Sequence, residues 1–260
     1  MNRIFCLSCF LLACLVPVAS FAWVQTQTCD QESCGGYPRQ PISWDSSKVT
    51  FYLNERGTSQ MSLYQVIEVT QKSLSEWYRP EISSLEPQYG GTTSDDLVGY
   101  VINSKNNKNI IVFRDSDWME SSAMLALTTV THNNANGDIL DADIEINTMV
   151  HQFGNCDISG DAVFDFENTL THELGHAFGL EHSPVRESTM NAYANKGDIS
   201  LRSLDQDDLD AIATIYPLKH DEDCSANPLK PASTHGVLMF LMGLIACLSG
   251  RLVLGARNVE

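Results

Sequence analysis

Basic residues are scarce in this chain. Its 260 residues include 16 Lys and Arg against 33 Asp and Glu, which gives a formal net charge of −17 at pH 7. Because such a surface repels a phosphate backbone, the composition excludes nucleic acid as a partner. The acidity identifies no other partner, since a net charge far from zero also keeps a protein soluble. The length is enough for one or two domains.

Long hydrophobic runs are absent except near the two ends of the sequence. At the start, Arg3 precedes an apolar stretch at 4–18, and Ser20-Phe21-Ala22 forms a small-x-small cleavage site. Residues 1–22 are therefore predicted to be a signal peptide, with the mature chain beginning at Trp23. We expect a secreted or extracellular protein.

The second apolar run lies at the other end, after a polar linker at 219–235. Residues 236–250 carry no charge, but fifteen residues are short of the roughly 20 that a spanning helix needs, although 252–256 could extend them. A spacer, an apolar run and a basic end loosely resemble bacterial C-terminal sorting signals, and a GPI signal is the eukaryotic counterpart. We expect 236–260 to attach the protein to a membrane or cell surface, or to be removed during sorting.

Cysteine is limited once these two end segments are set aside. Of eight cysteines, four lie outside them: Cys29, Cys34, Cys156 and Cys224. Four cysteines allow three pairings. The local choice is Cys29 with Cys34, which would leave Cys156 for Cys224. Export favours disulfides over metal thiolates here.

Histidine is also infrequent, yet three of the seven fall in one stretch that reads H-E-x-x-H-x-x-G-x-x-H from His172 to His182. On a helix, His172 and His176 lie one turn apart on the same face, so both can bind one metal ion. Glu173 can then lie beside the metal without binding it. Gly179 accepts a positive φ at low cost, so the helix can end there and the chain can double back to bring in His182.

Three neutral imidazoles suit zinc and leave a fourth position open, which is the pattern of a catalytic site. A chance H-E-x-x-H in a chain of this composition has a frequency of about one in a hundred, whereas the full pattern has one on the order of 10⁻⁵. A surface helix with incidental histidines is therefore a poor explanation.

The extended pattern resembles the zinc motif of the metzincins. That clan also has a tight turn with a methionine beneath the zinc, and Met190 lies eight residues after His182. This spacing, and Ser183 directly after the third histidine, are similar to the matrixin branch. The resemblance implies a zinc-dependent endopeptidase, in this case an exported bacterial member that acts as a monomer on proteins or peptides.

The resemblance also implies roles for individual residues. One zinc would be held by His172, His176 and His182, and Glu173 would be the general base that takes a proton from water and passes it to the leaving amine. Tyr193, which follows the methionine turn, would line the substrate pocket. Substrate would pair with the edge strand at 124–131 by β-augmentation.

The hydrophobic pattern predicts an α+β fold with the order strand, helix, several strands, zinc helix, turn and last helix. Over residues 48–218 this is similar to the matrixin catalytic domain, a twisted and mostly parallel five-stranded sheet with three main helices. Strands are predicted at 48–53, 97–102, 110–113, 124–131 and 139–147, and the helices at 58–78, 165–179 and 203–216. Residues 81–95 read as a loop, and 23–47 as a tethered N-terminal segment.

Evidence for further metals is weaker. Upstream of the motif only His132 and His151 occur, without the H-x-D pattern of the second matrixin zinc, so one zinc is expected and both histidines read as surface residues. Calcium is a second candidate cofactor, because several aspartates offer hard-oxygen ligands, although a solvated acidic face explains them better. These aspartates are Asp138, Asp141, Asp143, Asp157 and Asp161.

Three questions remain open at this level. The alternative to an endopeptidase is a non-catalytic zinc-binding domain used for surface adhesion, although the intact Glu173 argues against it. A zinc hydrolase with other substrates is a further alternative. The means of latency is also open, because Cys34-Gly35-Gly36-Tyr37-Pro38-Arg39 has the residue types of the matrixin cysteine switch in the wrong order.

Overall fold

The structure, a computed structural model, describes residues 22–218 and the backbone of 255–259. Three predicted parts of the chain lie outside this range. They are residues 1–21 of the signal peptide, the linker with Cys224, and the C-terminal segment apart from the backbone of 255–259. Within the described part of the chain, no helix combines the length and hydrophobicity needed to cross a membrane.

Five strands form a twisted, mixed sheet. They are β1 (Lys48–Asn54), β2 (Glu86–Thr93), β3 (Asn109–Phe113), β4 (Ala126–His132) and β5 (Ile139–Ile146). Their order is β2-β1-β3-β5-β4, and only the β4–β5 hairpin is antiparallel. The backbone of Gly255–Val259 pairs in parallel with the outer side of β4. The predicted mostly parallel sheet is confirmed.

Among the described residues, three main helices accompany the sheet, as predicted. They are α1 (Leu63–Trp77), α2 (Phe166–Ala177) and α3 (Gln206–Ile215). The shorter elements are strands Ser33–Cys34, Tyr37–Pro38, Phe153–Gly154 and Phe164–Asp165, helix Cys156–Ser159, and 3-10 turns Gly160–Ala162 and Ser200–Arg202. Helix α1 begins with a capping box, in which Ser62 and Gln65 each accept a hydrogen bond from the other's backbone N–H.

Two of the predicted boundaries on the β2 side of the sheet are wrong. The segment predicted to be a loop at 81–95 contains β2. Its Pro87 and Gly90 argue against a strand, but they are tolerated here because β2 pairs on one side only, with β1. Gly90 is required there, because a Cβ would overlap the Tyr52 ring of β1. Conversely, residues 97–102 form no strand, and Leu97 and Ile102 are 67% and 78% exposed. The strand propensity of residues 97–102 was not enough to form a strand, because a strand also needs a neighbour to pair with.

The core lies between the sheet and the first two helices. Phe178, just beyond α2, packs edge-on against Phe51 of β1 at 5.9 Å and against Trp77 of α1 at 5.7 Å between ring centroids. Burial of each such side chain stabilises the fold by about 1.5–3 kcal/mol. The Trp77 indole N–H also donates to the Thr171 carbonyl at 2.9 Å, which fixes α1 against α2.

The N-terminal segment is packed against the domain. Isolated bridges pair Gln25 with Leu180 and Ser43 with Asp138. His132 is only 5% exposed, and its Nε2 lies 3.0 Å from the Thr28 carbonyl, so its prediction as a surface residue is wrong. His151 is half-buried.

The cysteines differ in their placement. A disulfide joins Cys29 and Cys34 within the N-terminal segment. Cys156 is buried and free in the described part of the chain, and its suggested partner Cys224 lies outside that part.

Candidate metal centre

Helix α2 begins at a buried ion pair. Asp165 is the N-cap and accepts the Asn168 N–H at 2.9 Å. The Arg202 guanidinium grips both of its oxygens, at 2.8 and 2.6 Å. Although burial favours the neutral acid, Arg202 and two backbone N–H groups hold the pKa of Asp165 below its usual value. The start of the helix is therefore fixed in place.

The end of α2 turns back through a glycine. Gly179 has φ +89°, and a Cβ there would come 2.7 Å from the Ile42 carbonyl oxygen, so no other residue fits well. The Leu180 N–H then donates to the Gly175 carbonyl at 3.0 Å, which closes the helix. The chain doubles back as the sequence predicts and carries His182 toward the helix.

The three predicted imidazoles converge. His176 Nε2 lies 3.1 Å from His172 Nε2 and 3.3 Å from His182 Nε2. His172 Nδ1 faces the Thr189 carbonyl at 2.7 Å and His176 Nδ1 faces the Leu180 carbonyl at 2.8 Å, so both Nε2 atoms are free to bind a metal. In the described part of the chain this is the one group of three side chains with metal-ligand atoms in reach of one another.

The protonation of these rings fits a metal centre. Burial lowers the pKa of His172 to about 3 and that of His182 to about 4, and it lowers the pKa of His176 well below its usual value. All three are therefore neutral at pH 7, which is the form that binds a cation. Three neutral imidazole nitrogens that converge on one point suit zinc.

Glu173 follows His172 on α2 and is fully buried. Its Oε2 accepts the Thr128 hydroxyl hydrogen at 2.6 Å, and its Oε1 has no hydrogen-bond partner among the described residues. Burial raises the pKa of Glu173 to about 8. A divalent cation bound by the imidazoles would lower the pKa of Glu173 and favour its ionised carboxylate. Thr128 carries no signal in the sequence, because only the packing of β4 against α2 brings it here.

The methionine turn lies beneath α2. Met190 is 1% exposed, and a Cβ on Gly175 would overlap the Met190 sulfur and crowd Trp77. Glycine at the third position after His172 therefore permits the close approach of the turn to the helix. The Ser183 N–H donates to the Met190 carbonyl at 2.8 Å and connects the turn to the His182 segment.

A buried carboxylate that sequence reasoning missed holds this turn. Asp208 of α3 is 1% exposed and accepts the Ser188 hydroxyl hydrogen at 2.6 Å and the Thr189 N–H at 2.8 Å. It also accepts the N–H groups of Met190 and Asp205. Because the Thr189 carbonyl orients His172, Asp208 supports the candidate metal centre through the turn.

The remaining predicted site residues are dispersed. Tyr193 is 44% exposed, and its N–H donates to the Asn191 side chain. Asp157 pairs with Arg202 at 2.7 Å, and no described aspartate belongs to a group of three possible metal ligands in reach of one another. Asp141 and Asp143 are 2% and 1% exposed, and their prediction as part of a solvated acidic face is wrong.

The reason for this burial is that a loop covers the outer face of β5. Asp143 accepts the Gly99 N–H at 2.6 Å and the Ile110 N–H at 2.9 Å, which brings residues 94–108 over the strand.

Comparison with known proteins agrees with the geometry. The profile of the family described as Matrixin matches residues 43–217. Human matrilysin is 27% identical over 175 residues, or 62% of this chain and 64% of matrilysin. Human neutrophil collagenase is 38% identical over 87 residues, or 28% of this chain and 17% of the collagenase. Mouse matrix metalloproteinase-25 is 29% identical over 156 residues, or 52% of this chain and 24% of that protein. The chain thus spans less than two thirds of the length of each of these relatives.

Proposed function

The chain belongs to the matrixin family of zinc metalloendopeptidases, and we propose that it is itself an exported zinc-dependent endopeptidase. The proposal assigns one zinc to His172, His176 and His182 and the general base to Glu173. The observation that carries it is the Glu173 Oε1, which is buried without a partner among the described residues on the helix that carries two of the three converging imidazoles. A structural zinc site needs no such carboxylate.

In this proposal the chain's own residues supply the proton transfers. Zinc, when bound, supplies Lewis acidity toward the peptide carbonyl and lowers the pKa of a water molecule. Glu173 Oε1 takes the proton of the attacking water and later gives it to the leaving amine. The Thr128 hydroxyl holds Oε2, so that Oε1 is the oxygen left for this exchange. The backbone carbonyls of Thr189 and Leu180 keep His172 and His176 aimed.

Substrate would lie extended along the outer edge of β4 and gain main-chain hydrogen bonds there. That edge pairs with Gly255–Val259, so it accepts an added strand, and a substrate peptide would compete for the same backbone groups. Tyr193, on the exposed segment after the methionine turn, would contact the substrate side chain that follows the cut.

We expect a chelator to abolish cleavage of a fluorogenic peptide library by the purified protein, and added zinc to restore it. The physical reason is that the bound zinc would supply the Lewis acidity toward the carbonyl and the water, which the imidazoles and Glu173 cannot supply by themselves. Mass spectrometry of the products gives the cleavage preference. Tight zinc binding without cleavage of any library member would favour the adhesion alternative instead.

The ends of the chain also belong to the proposal. Removal of residues 1–22 would release the protein from the cell, and 236–260 would attach it to a surface or be lost in sorting. Both proposals rest on the apolar runs in the sequence.

A calcium ion is proposed at the Asp141–Asp143 pair. Asp141 lines a cavity of about 280 Å³, and its Oδ2 is buried without a hydrogen-bond donor among the described residues. Burial and the Asp143 carboxylate raise the pKa of Asp141 to about 8, which reflects the cost of two buried like charges. A hard divalent cation that binds carboxylate oxygens would remove this cost.

Calcium is therefore expected to raise the melting temperature of the wild-type protein by several degrees, because it binds only the folded state. Asp141→Asn should abolish this gain, whereas Asp138→Asn, in the β4–β5 turn, should retain it. An equal gain in all three proteins would place the calcium elsewhere.

A further inference from the structure

The third imidazole is held differently from the other two. The rings of His172 and His176 are each oriented by a backbone carbonyl at Nδ1. For His182 the structure records one side-chain hydrogen-bonding contact among the described residues, the approach of its Nε2 to His176 on the side of the metal. The aim of His182 therefore depends on how firmly its own backbone is held.

On its C-terminal side, that backbone is fixed through Ser183. The Ser183 N–H donates to the Met190 carbonyl at 2.8 Å, and its hydroxyl donates to Asp207 at 2.6 Å. The other oxygen of Asp207 accepts the Trp23 N–H at 3.0 Å, so this anchor also reaches the N-terminal segment.

On its N-terminal side, the same backbone is held by the end of α2, where the Leu180 N–H donates to the Gly175 carbonyl, and by the N-terminal segment. The Thr26 N–H donates to the Gly179 carbonyl at 2.9 Å, and the Glu181 N–H donates to the Val24 carbonyl at 2.8 Å. These bonds form an antiparallel bridge centred on Gln25 and Leu180. Thr26 is 3% exposed, so its bonds are shielded from water.

We propose that residues 23–26, here called the N-terminal clasp, are positioning residues that aim His182 at the metal. The proposal rests on the proposed zinc centre. The clasp precedes residues 43–217, the part of the chain that the matrixin profile matches, so the third ligand is held by a segment that the profile does not include. Cleavage after Ala22 would retain the clasp, whereas cleavage beyond Thr26 would remove it.

The test compares two variants of the whole exported chain. Thr26→Pro removes the N–H that donates to Gly179. Thr26→Ser keeps both that N–H and the hydroxyl, which hydrogen-bonds to the Glu181 carboxyl. Zinc affinity is measured by competition with a chromophoric chelator, and Co²⁺ is added in place of zinc to report coordination by its absorption. Thr26→Pro should bind zinc about 10–100-fold more weakly, the usual cost of losing support for a metal ligand, and should change the Co²⁺ spectrum. Thr26→Ser should resemble wild type in both.

The same pair is then measured in a His182→Ala background, because a general loss of stability would weaken zinc binding there too. If the clasp acts through His182, Thr26→Pro should cost no further affinity in that background. An equal loss in both backgrounds, or equal affinity of the Pro and Ser variants, would overturn the proposal. Should Thr26→Pro not fold, a chain that begins at Gln27 provides the same comparison, and its retention of wild-type zinc affinity would equally overturn it.

The readout is metal affinity, so the outcome is separate from that of the proposed function. If the wild-type protein bound zinc but cleaved no peptide, the endopeptidase proposal would be contradicted and the clasp proposal would be unaffected. If the wild-type protein cleaved peptides and Thr26→Pro bound zinc as tightly as wild type, the endopeptidase proposal would stand and the clasp proposal would be contradicted.

Discussion

Replacing Glu173 with Gln is expected to lower peptidase activity by about 10²–10⁴-fold, the range attributed to general acid–base catalysis. The fully buried side chain has one oxygen engaged by Thr128 and one without a partner. Gln keeps the size of the side chain and can accept the Thr128 hydrogen bond, but it cannot take a proton. Zinc content, measured by elemental analysis, and melting temperature should therefore stay at their wild-type values.

Two companion variants show whether this loss is specific. Glu167→Gln neutralises another carboxylate of α2, one that faces Lys72 and Arg202 and lies away from the imidazoles, so it should retain activity. His176→Ala removes a proposed ligand and should lose zinc and activity together. If Glu173→Gln cleaved peptides at the wild-type rate, the general base would be assigned to the wrong residue.

The metal-binding pattern could be read from the sequence because its geometry is local. The helical period alone places His172 and His176 on one face. Gly179 indicates that the helix ends and the chain turns back toward it with His182. The same holds for the β4–β5 hairpin, whose Asn136-Gly137 turn is a short-range signal. Each of these signals is local, because the three histidines fall within eleven residues and the turn is set by two adjacent ones.

Features that depend on distant partners could not be read in this way. The alternation along β5 placed Asp141 and Asp143 opposite its apolar face, but only the fold shows that residues 94–108 cover them. Strand β2 was missed because its pairing with β1 crosses the whole of α1. Thr128 gave no signal either, because its partner Glu173 lies 45 residues away.

Asp208 shows the same limit at a single residue. In the sequence it is one of several acids in the first turn of a helix, where negative charge suits the dipole. In the structure it accepts hydrogen bonds from a turn 18–20 residues upstream and so supports the carbonyl that orients His172. The sequence supplied a correct but incomplete reason for the residue.

Asp208→Ala is accordingly expected to destabilise the protein by about 3–5 kcal/mol, because it leaves several buried donors without an acceptor at once. Asp208→Asn should be nearly as harmful. Its two oxygens each accept from donors, Oδ1 from Ser188 and Met190 and Oδ2 from Thr189 and Asp205, so an amide NH₂ would face N–H groups on one side. Urea unfolding gives the change in the free energy of unfolding.

The matched control is Asp210→Ala on the same helix, whose carboxylate meets only the exposed Gln206 side chain and should cost less than about 0.5 kcal/mol. Zinc affinity separates the local from the global effect. If Asp208 orients His172 through Thr189, zinc binding to the Asp208 variants that remain folded should weaken, whereas binding to Asp210→Ala should not change. Equal stability of Asp208→Ala and Asp210→Ala would mean that the methionine turn is held by its own packing against Gly175, and that the carboxylate beneath it is dispensable.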